Sequence, residues 1–537
     1  MARGEAILRL PVILLFLLPL TLSLAFIAPM VFNVTAFVDL LAHPQVWGAL
    51  RLTLFTGVSS TLLSLGIALV IIAGARKNLA VGAGAFLAVP HLSLAIGLAF
   101  FIMPSGILAR VIAQLFTGWT APPQWVTTQD PNGVWLIAAL VLKETPFLVW
   151  VFASLLNRDD LRLQLAGHAA VARSLGHGAV STFLRVILPQ LLPRVALPLI
   201  AVFAYGMTVV DMALVIGPSQ PPTLAQLVWV DLNDAEPAVA ARGAAGVLAL
   251  SVLILILLLV VGLFLHQGRP WVGGFYSRYP YSGNWRLPVS GQIWGVWRAF
   301  YVLVGILLLL QSVSAFWPFP DLLPQVWSLK AWNHLATDLR PLLLSLVLAV
   351  TTASLALVAT VAWMENTPVR HDRPVLAAAV ASLCLPSLLL ALGQYRLYLW
   401  LGVTGTAAAL FLAHFLPVMA YVFLMLHGPY RAFDPRWQAT AAGLRARPAH
   451  MLLRVKWPML KAPLLSAFAV GFAVSVMQFV PAQLAAAGRF STLPMEAVTL
   501  SAGGNRALIA TYGLALTLLP FIVFVLAGWL SRPRWKN

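Results

Sequence analysis

Charged side chains are scarce in this chain, so the few that interrupt its apolar runs are where chemistry would reside. Lys143 and Glu144 stand together in GVWLIAALVLKETPFLVW, and Asp211 lies in YGMTVVDMALVIG. An ionisable group in hydrocarbon is costly to keep; its usual roles are solute or ion contact, proton relay, or a pair between helices. Neighbours in sequence point about 100° apart on a helix, so Lys143 and Glu144 do not pair face to face. They read either as a path-lining pair or as structural contacts, Lys143 with Asp211 being the structural pairing expected. Pro146 frees a backbone carbonyl nearby. Gln478, followed by Phe479, holds a place late in the chain similar to that of Asp211. His91, after Pro90, and Arg396, after Tyr395, are weaker candidates.

Other chemistries find less to work with. No HExxH occurs, and His168 and His177 lack metal-ligand spacing, so no metal site is expected. Adjacent carboxylates occur at Asp159 and Asp160, in a polar loop where acids suit a helix start. ATP hydrolysis by this chain is excluded. A phosphate-binding GxxxxGK[ST] loop needs Lys after Gly and before Ser or Thr, and none of the six lysines meets either condition. The single cysteine, Cys384, excludes an intrachain disulfide and reads as a small buried residue.

The elements that must hold these residues are membrane helices. Of 537 residues, 61% are hydrophobic and 9% charged, with mean hydropathy +0.90. Such a chain is solvated by lipid, which demands helices or a closed barrel. Runs such as GVLALSVLILILLLVVGLFL have helix length, not the roughly ten-residue alternation of barrel strands. About twelve spans are predicted, near 10–32, 49–73, 80–103, 133–156, 194–217, 243–266, 299–316, 339–364, 375–400, 403–426, 462–487 and 505–530. Arg3 and Arg9 precede the first, which reads as an uncleaved span and not a signal peptide. With both termini on the cytoplasmic side, that side holds about 25 of the 34 Lys and Arg and about 6 acids, the positive-inside pattern. The net charge of +18 is therefore mostly topology, with membrane lipids as neighbours and no nucleic-acid partner expected.

One polar stretch is written twice. ARSLGHGAVSTFLRVILP (172–189) aligns without a gap on AAGLRARPAHMLLRVKWP (441–458), 269 residues later. Ala172 pairs with Ala441, Leu175 with Leu444, Leu184 with Leu453, Arg185 with Arg454 and Pro189 with Pro458. VPHLSLAIG (89–97) likewise resembles LPSLLLALG (385–393), ETPFLVWVF resembles HFLPVMAYVF around Pro146 and Pro417, and PTLAQLV resembles STLPMEAV, all in the same order. The fold class is thus an all-α polytopic membrane protein of two parallel six-helix repeats. Its domains are 1–266 and 299–537, joined by a cytoplasmic linker, 267–298, that carries Arg269, Arg278, Arg286 and Arg298 but no acid. In the first stretch a helical run (161–175) meets Gly176 and Gly178, and a second short run stops at Pro189. The expectation is two short helices with a bend between them and an apolar face of Phe183, Val186 and Leu188.

Ala172, Gly176, Phe183, Val186, Leu188 and Pro189 together resemble the EAA motif of binding-protein-dependent ABC importer permeases of the type I fold. The resemblance extends to the fused thiamine, ferric-iron and YnjC-type permeases. It implies that Ala172, Gly176, His177, Gly178, Phe183 and Pro189, and in the second copy Ala441, Leu444, Arg445, Leu452 and Pro458, form coupling helices for an ATPase. It also implies alternating access in a bacterial inner membrane, a homodimeric ATPase in the cytoplasm and a periplasmic solute-binding protein. The chain itself would bind no cofactor, ATP and Mg residing on the ATPase. Two departures stand out. The motif's acidic position is Ala170 in the first copy and Ala439 in the second, and its glycine is Arg445 in the second copy, where Gly443 could shift the bend. The rival readings are an ion-gradient-driven secondary transporter using Lys143, Glu144 and Asp211, and an intramembrane enzyme, which the shortage of acids disfavours.

Overall fold

The computed structural model describes residues 9–74, 79–277, 290–445 and 447–532. Arg3, and Arg278 and Arg286 of the linker, lie outside the described residues. Among the described residues ten helices are long and apolar enough to span a membrane, and the number is twelve when each of two bent pairs is one span. Each predicted span has a counterpart, but four are displaced, the eleventh being the bent pair Ala449–Met459 and Lys461–Val476 instead of 462–487. Pro90 separates Leu79–Leu87 from His91, and the membrane-length helix is His91–Thr117. The fifth is Ala179–Thr208 instead of 194–217, and the seventh is Gly291–Ser312. Pro386 has the same effect as Pro90: Val369–Cys384 and Ser387–Trp400 meet at 110°.

The repeat is visible bond by bond. Leu224 N–H donates to the Thr53 hydroxyl at 2.7 Å, and Leu493 N–H donates to the Ser345 hydroxyl at 2.9 Å. Each ties a span to the N-terminus of a short helix, Leu224–Leu232 or Leu493–Ala502. Helices break at 209–210 after Ala196–Thr208, and at 477–479 after Lys461–Val476.

The described chain forms two compact units that do not follow the sequence halves. One contains Arg9–Phe32, Ala88–Ser93 and the chain from Leu329 onward; the other contains Asn33–Leu87 and Leu94–Ser328. Each unit therefore takes its first span from the other half of the sequence. Glycines of the repeated stretches mark where those spans lie. A Cβ added at Gly393 would fall 2.3 Å from the Ser23 carbonyl oxygen, and one at Gly97 would fall 2.4 Å from Val304. The seventh span also completes a bond that Pro146 leaves open. The carbonyl of Leu142, four residues before the proline, accepts from Tyr301 Oη at 3.1 Å and Trp297 Nε1 at 3.3 Å.

A feature absent from the all-α expectation is a small antiparallel strand pair, Ser314–Phe316 with Val326–Trp327. Buried Arg110 holds this segment. Its guanidinium donates to the carbonyls of Ser105, Trp317, Pro318 and Asp321 and lies 4.9 Å from the Trp317 ring. Cys384 is half-buried, not buried as expected.

Candidate functional site

The first repeated stretch folds as an elbow. Asp159–Ser174 opens with two acids in its first turn, complementing the helix dipole as expected. Arg158 and Arg162 pair with them at 2.8 Å on an exposed surface, and the Arg158 guanidinium holds the Asp160 carboxyl below its ordinary range. Leu161, Leu165, Ala169 and Ala172 form the buried stripe of this helix at helical spacing. Gly176 ends it with φ +88°; its N–H donates to Arg173 O, and His177 N–H reaches back to Ala172 O at 3.1 Å. Gly178 starts the next helix, Ala179–Thr182. His177 is held by the Ser181 hydroxyl at 2.8 Å and His168 by Gln190 at 3.0 Å.

The second elbow repeats this backbone with different residues. Arg436–Gly443 ends, and Arg445 takes φ +54° at the position of Gly176. The bend is therefore not shifted to Gly443. An L-residue held in the left-handed region costs on the order of 1–2 kcal/mol, and here Arg445 carries that cost. Pro448–Met451 follows.

Pro189 and Pro458 do not stop their helices. A five-residue π-helical turn lies just before each, Phe183–Ile187 and Leu452–Lys456, at the same repeat position. Leu188 N–H bonds Phe183 O, and Trp457 N–H bonds Leu452 O. Widening the turn leaves room for the proline ring and needs no amide from it. The helix of the first elbow runs on into the membrane as Ala179–Thr208, whereas in the second Ala449–Met459 and Lys461–Val476 meet at 74°.

The outward face differs from the expected one. Phe183 and Ile187 pack inward on Leu148, Phe152, Leu161, Leu165 and Leu191, while Val186 and Leu188 are only partly exposed. The exposed apolar residues are instead Leu175 (67%) and Leu184 (43%), matched by Leu444 (78%) and Leu453 (58%). Ala172 is buried, Ala441 and Leu452 are half-buried, and Pro189 and Pro458 are exposed.

Within the spans, Lys143 and Glu144 are both buried, and Lys143 Nζ reaches the carbonyl of Phe86 at 3.4 Å. Asp211 opens the helix Asp211–Ile216 after the break at 209–210 and accepts from Tyr205 Oη at 3.3 Å. Gln478 sits in the matching break, half-buried. His91 is half-buried and Arg396 exposed.

Sequence reasoning passed over two groups. His414 occupies the place of Lys143, three residues before the in-helix proline. It is buried, with Nδ1 2.9 Å from the Ser475 hydroxyl, which lies 3.2 Å from that of Thr352. The proline alignment contained that signal. The second group braces the second elbow. Lys456, buried in the π-turn, bonds Glu365 at 2.5 Å and lies 4.3 Å from the Tyr430 ring; Tyr430 Oη also donates to Glu365. Beside them Asp372 accepts from Arg431, Trp363 and His427. Arg431 also binds the carbonyls of Met364 and Thr367, and Arg9 that of Asn366, which closes the end of Arg340–Asn366. These residues are scattered from 9 to 456, so no local motif announces them.

No protein-family model matches the chain. Over 529 residues, 96% of this chain and 94% of the relative, it is 30% identical to the inner membrane ABC transporter permease protein YnjC of Escherichia coli strain K12. The chain belongs to the inner-membrane ABC transporter permeases. It is a multi-pass, all-α transport subunit and not an enzyme.

Proposed function

We propose, from the premise that the chain is an ABC transporter permease, that it imports a small solute by alternating access, driven by a separate homodimeric ATPase. One observation carries the coupling part of this reading. Two elbows built at equivalent positions, with the same left-handed bend and the same π-turn, present matching leucines outward: Leu175 with Leu444, and Leu184 with Leu453. A matched apolar pair suits a partner with two matching sockets, and docking then rests on shape and apolar contact. This supports identical ATPase subunits, with ATP and Mg bound there. On this reading the elbows and both termini lie in the cytoplasm, in keeping with the charge bias. The importing direction and a periplasmic solute-binding protein follow from the resemblance of the elbows to the EAA motif. Lys143, Glu144, Asp211 and Gln478 are the proposed path residues, since each lies inside a span or at a break in one.

The test is to purify the tagged chain from its native membrane in mild detergent and identify what accompanies it by mass spectrometry. An ATPase at two copies per permease, lost from a Leu175→Asp/Leu444→Asp variant, is the expected result. Recovery of the chain alone, even under nucleotide trapping, would overturn the coupling assignment and favour an ion-driven carrier.

A further inference from the structure

The two elbows are seated by different chemistry at one and the same position. The last residue of the first π-turn is Ile187, which packs into the apolar cluster with Phe152, Leu161 and Leu165. The last residue of the second is Lys456. Its partner Glu365 is the next-to-last residue of Arg340–Asn366. With the repeats aligned on the equivalent Thr53 and Ser345 ties, Glu365 corresponds to Ala73, the last residue of Val46–Ala73. An Ile and an Ala in one half thus stand where the other half has Lys and Glu.

We propose that Lys456 and Glu365 are positioning residues, the ionic hinge pin that fixes the second elbow to the end of the span Arg340–Asn366 and carries its movement into the membrane. This rests on the coupling role proposed above. Three observations support it. Lys456 is the point where the elbow meets two spans at once: it bonds Glu365 at 2.5 Å and stacks over Tyr430, near the end of Ala407–Arg431. Tyr430 Oη ties those two spans together by donating to Glu365, and Trp457 Nε1 donates to Tyr430 Oη at 3.2 Å, adding a second link from the elbow. The far ends of the tie are fixed, because Arg431 and Arg9 hold the carbonyls that close Arg340–Asn366. The carboxylate side chain keeps 19% of its surface exposed and lines a cleft of about 470 Å³ with Arg9 and Gln438, so the pair is not wholly desolvated. A contact of that kind can break and re-form as the elbow moves, whereas a methyl group in a packed cluster moves with its neighbours.

The experiment uses the full chain in nanodiscs: mobility is read without ATPase, with Cys384→Ser and a spin label at Leu453→Cys, and hydrolysis is read on the unlabelled chain with Leu453 intact and the ATPase recovered above. A label at Leu184→Cys in the first elbow is the control. Lys456→Ile and Glu365→Ala should each raise the mobile fraction at 453, leave 184 unchanged, and lower permease-stimulated ATP hydrolysis about tenfold, the size expected for one charged hydrogen bond. The double variant reproduces the residues of the first half and should return both readouts to within about twofold of the parent, as coupled partners do in a double-mutant cycle. A lower melting midpoint with mobility at 453 unchanged in both single variants would mean a merely structural pair and would overturn the proposal. Should no ATPase be recovered, the coupling role fails, while the mobility readout still decides whether the pair positions the elbow.

Discussion

The first elbow is seated on hydrocarbon and the second on ions, although their left-handed bends and π-turns fall at the same repeat positions. In the first, Phe183 and Ile187 reach a cluster of Leu and Phe, a contact that salt does not screen. In the second, Lys456, Glu365, Arg431, Asp372 and Arg9 do the same task with directional bonds. The backbone shape is thus the part both copies keep, and the means of holding it is free to diverge. The bends teach the same lesson: glycine and arginine adopt one conformation, at different cost.

That contrast can be pressed hardest at Arg431. Arg431→Ala strips a fully buried carboxylate, Asp372, of its main partner, and loss of about 3–5 kcal/mol is expected. The measurement is a thermal or denaturant midpoint of the purified chain; an unchanged midpoint would show that His427 and Trp363 suffice. Phe183→Ala removes an aromatic ring from a half-buried site in the first elbow. It should cost about 2–4 kcal/mol, somewhat below a fully buried Phe, and the loss should not vary with salt. The bends offer a finer test. Gly176→Ala should destabilise by about 1 kcal/mol and Arg445→Gly should stabilise by a similar amount, because both sites need positive φ. Equal effects of one sign would break the equivalence of the two bends. The smallest change in stability is expected for Leu175→Asp and Leu444→Asp, within about 0.5 kcal/mol since both side chains face outward. Their effect should appear as lost ATPase binding in a pull-down.

Much of this was legible in the sequence, for identifiable reasons. Span-length apolar runs revealed the helices, and the paired stretches revealed the repeat. The breaks at Pro90 and Pro386 were missed, because hydropathy alone carried the predicted spans 80–103 and 375–400 through both prolines. The direction in which Phe183 points could not be read either, since an amphipathic run does not say which neighbour will cover its apolar side. Nor did Pro189 end its helix as expected: the π-turn that accommodates it involves a bond five residues apart, which residue preferences do not encode. The Lys456 and Asp372 clusters assemble from distant positions, and Arg445 departs from the glycine rule at the bend itself. Distant side chains and local strain are where reading along the chain gives out.

The span Arg9–Phe32 is made first and packs last. Its unit is completed only by residues after 328, so at ribosomal speeds of 5–20 residues per second it waits roughly 15–60 s for its partners. It can wait without harm, since a lone apolar helix is at home in lipid and its backbone bonds are internal. Neither half of this protein is therefore a folding unit in order of synthesis, and a chain released at the linker would leave that first helix with only Ala88–Ser93 of its own unit.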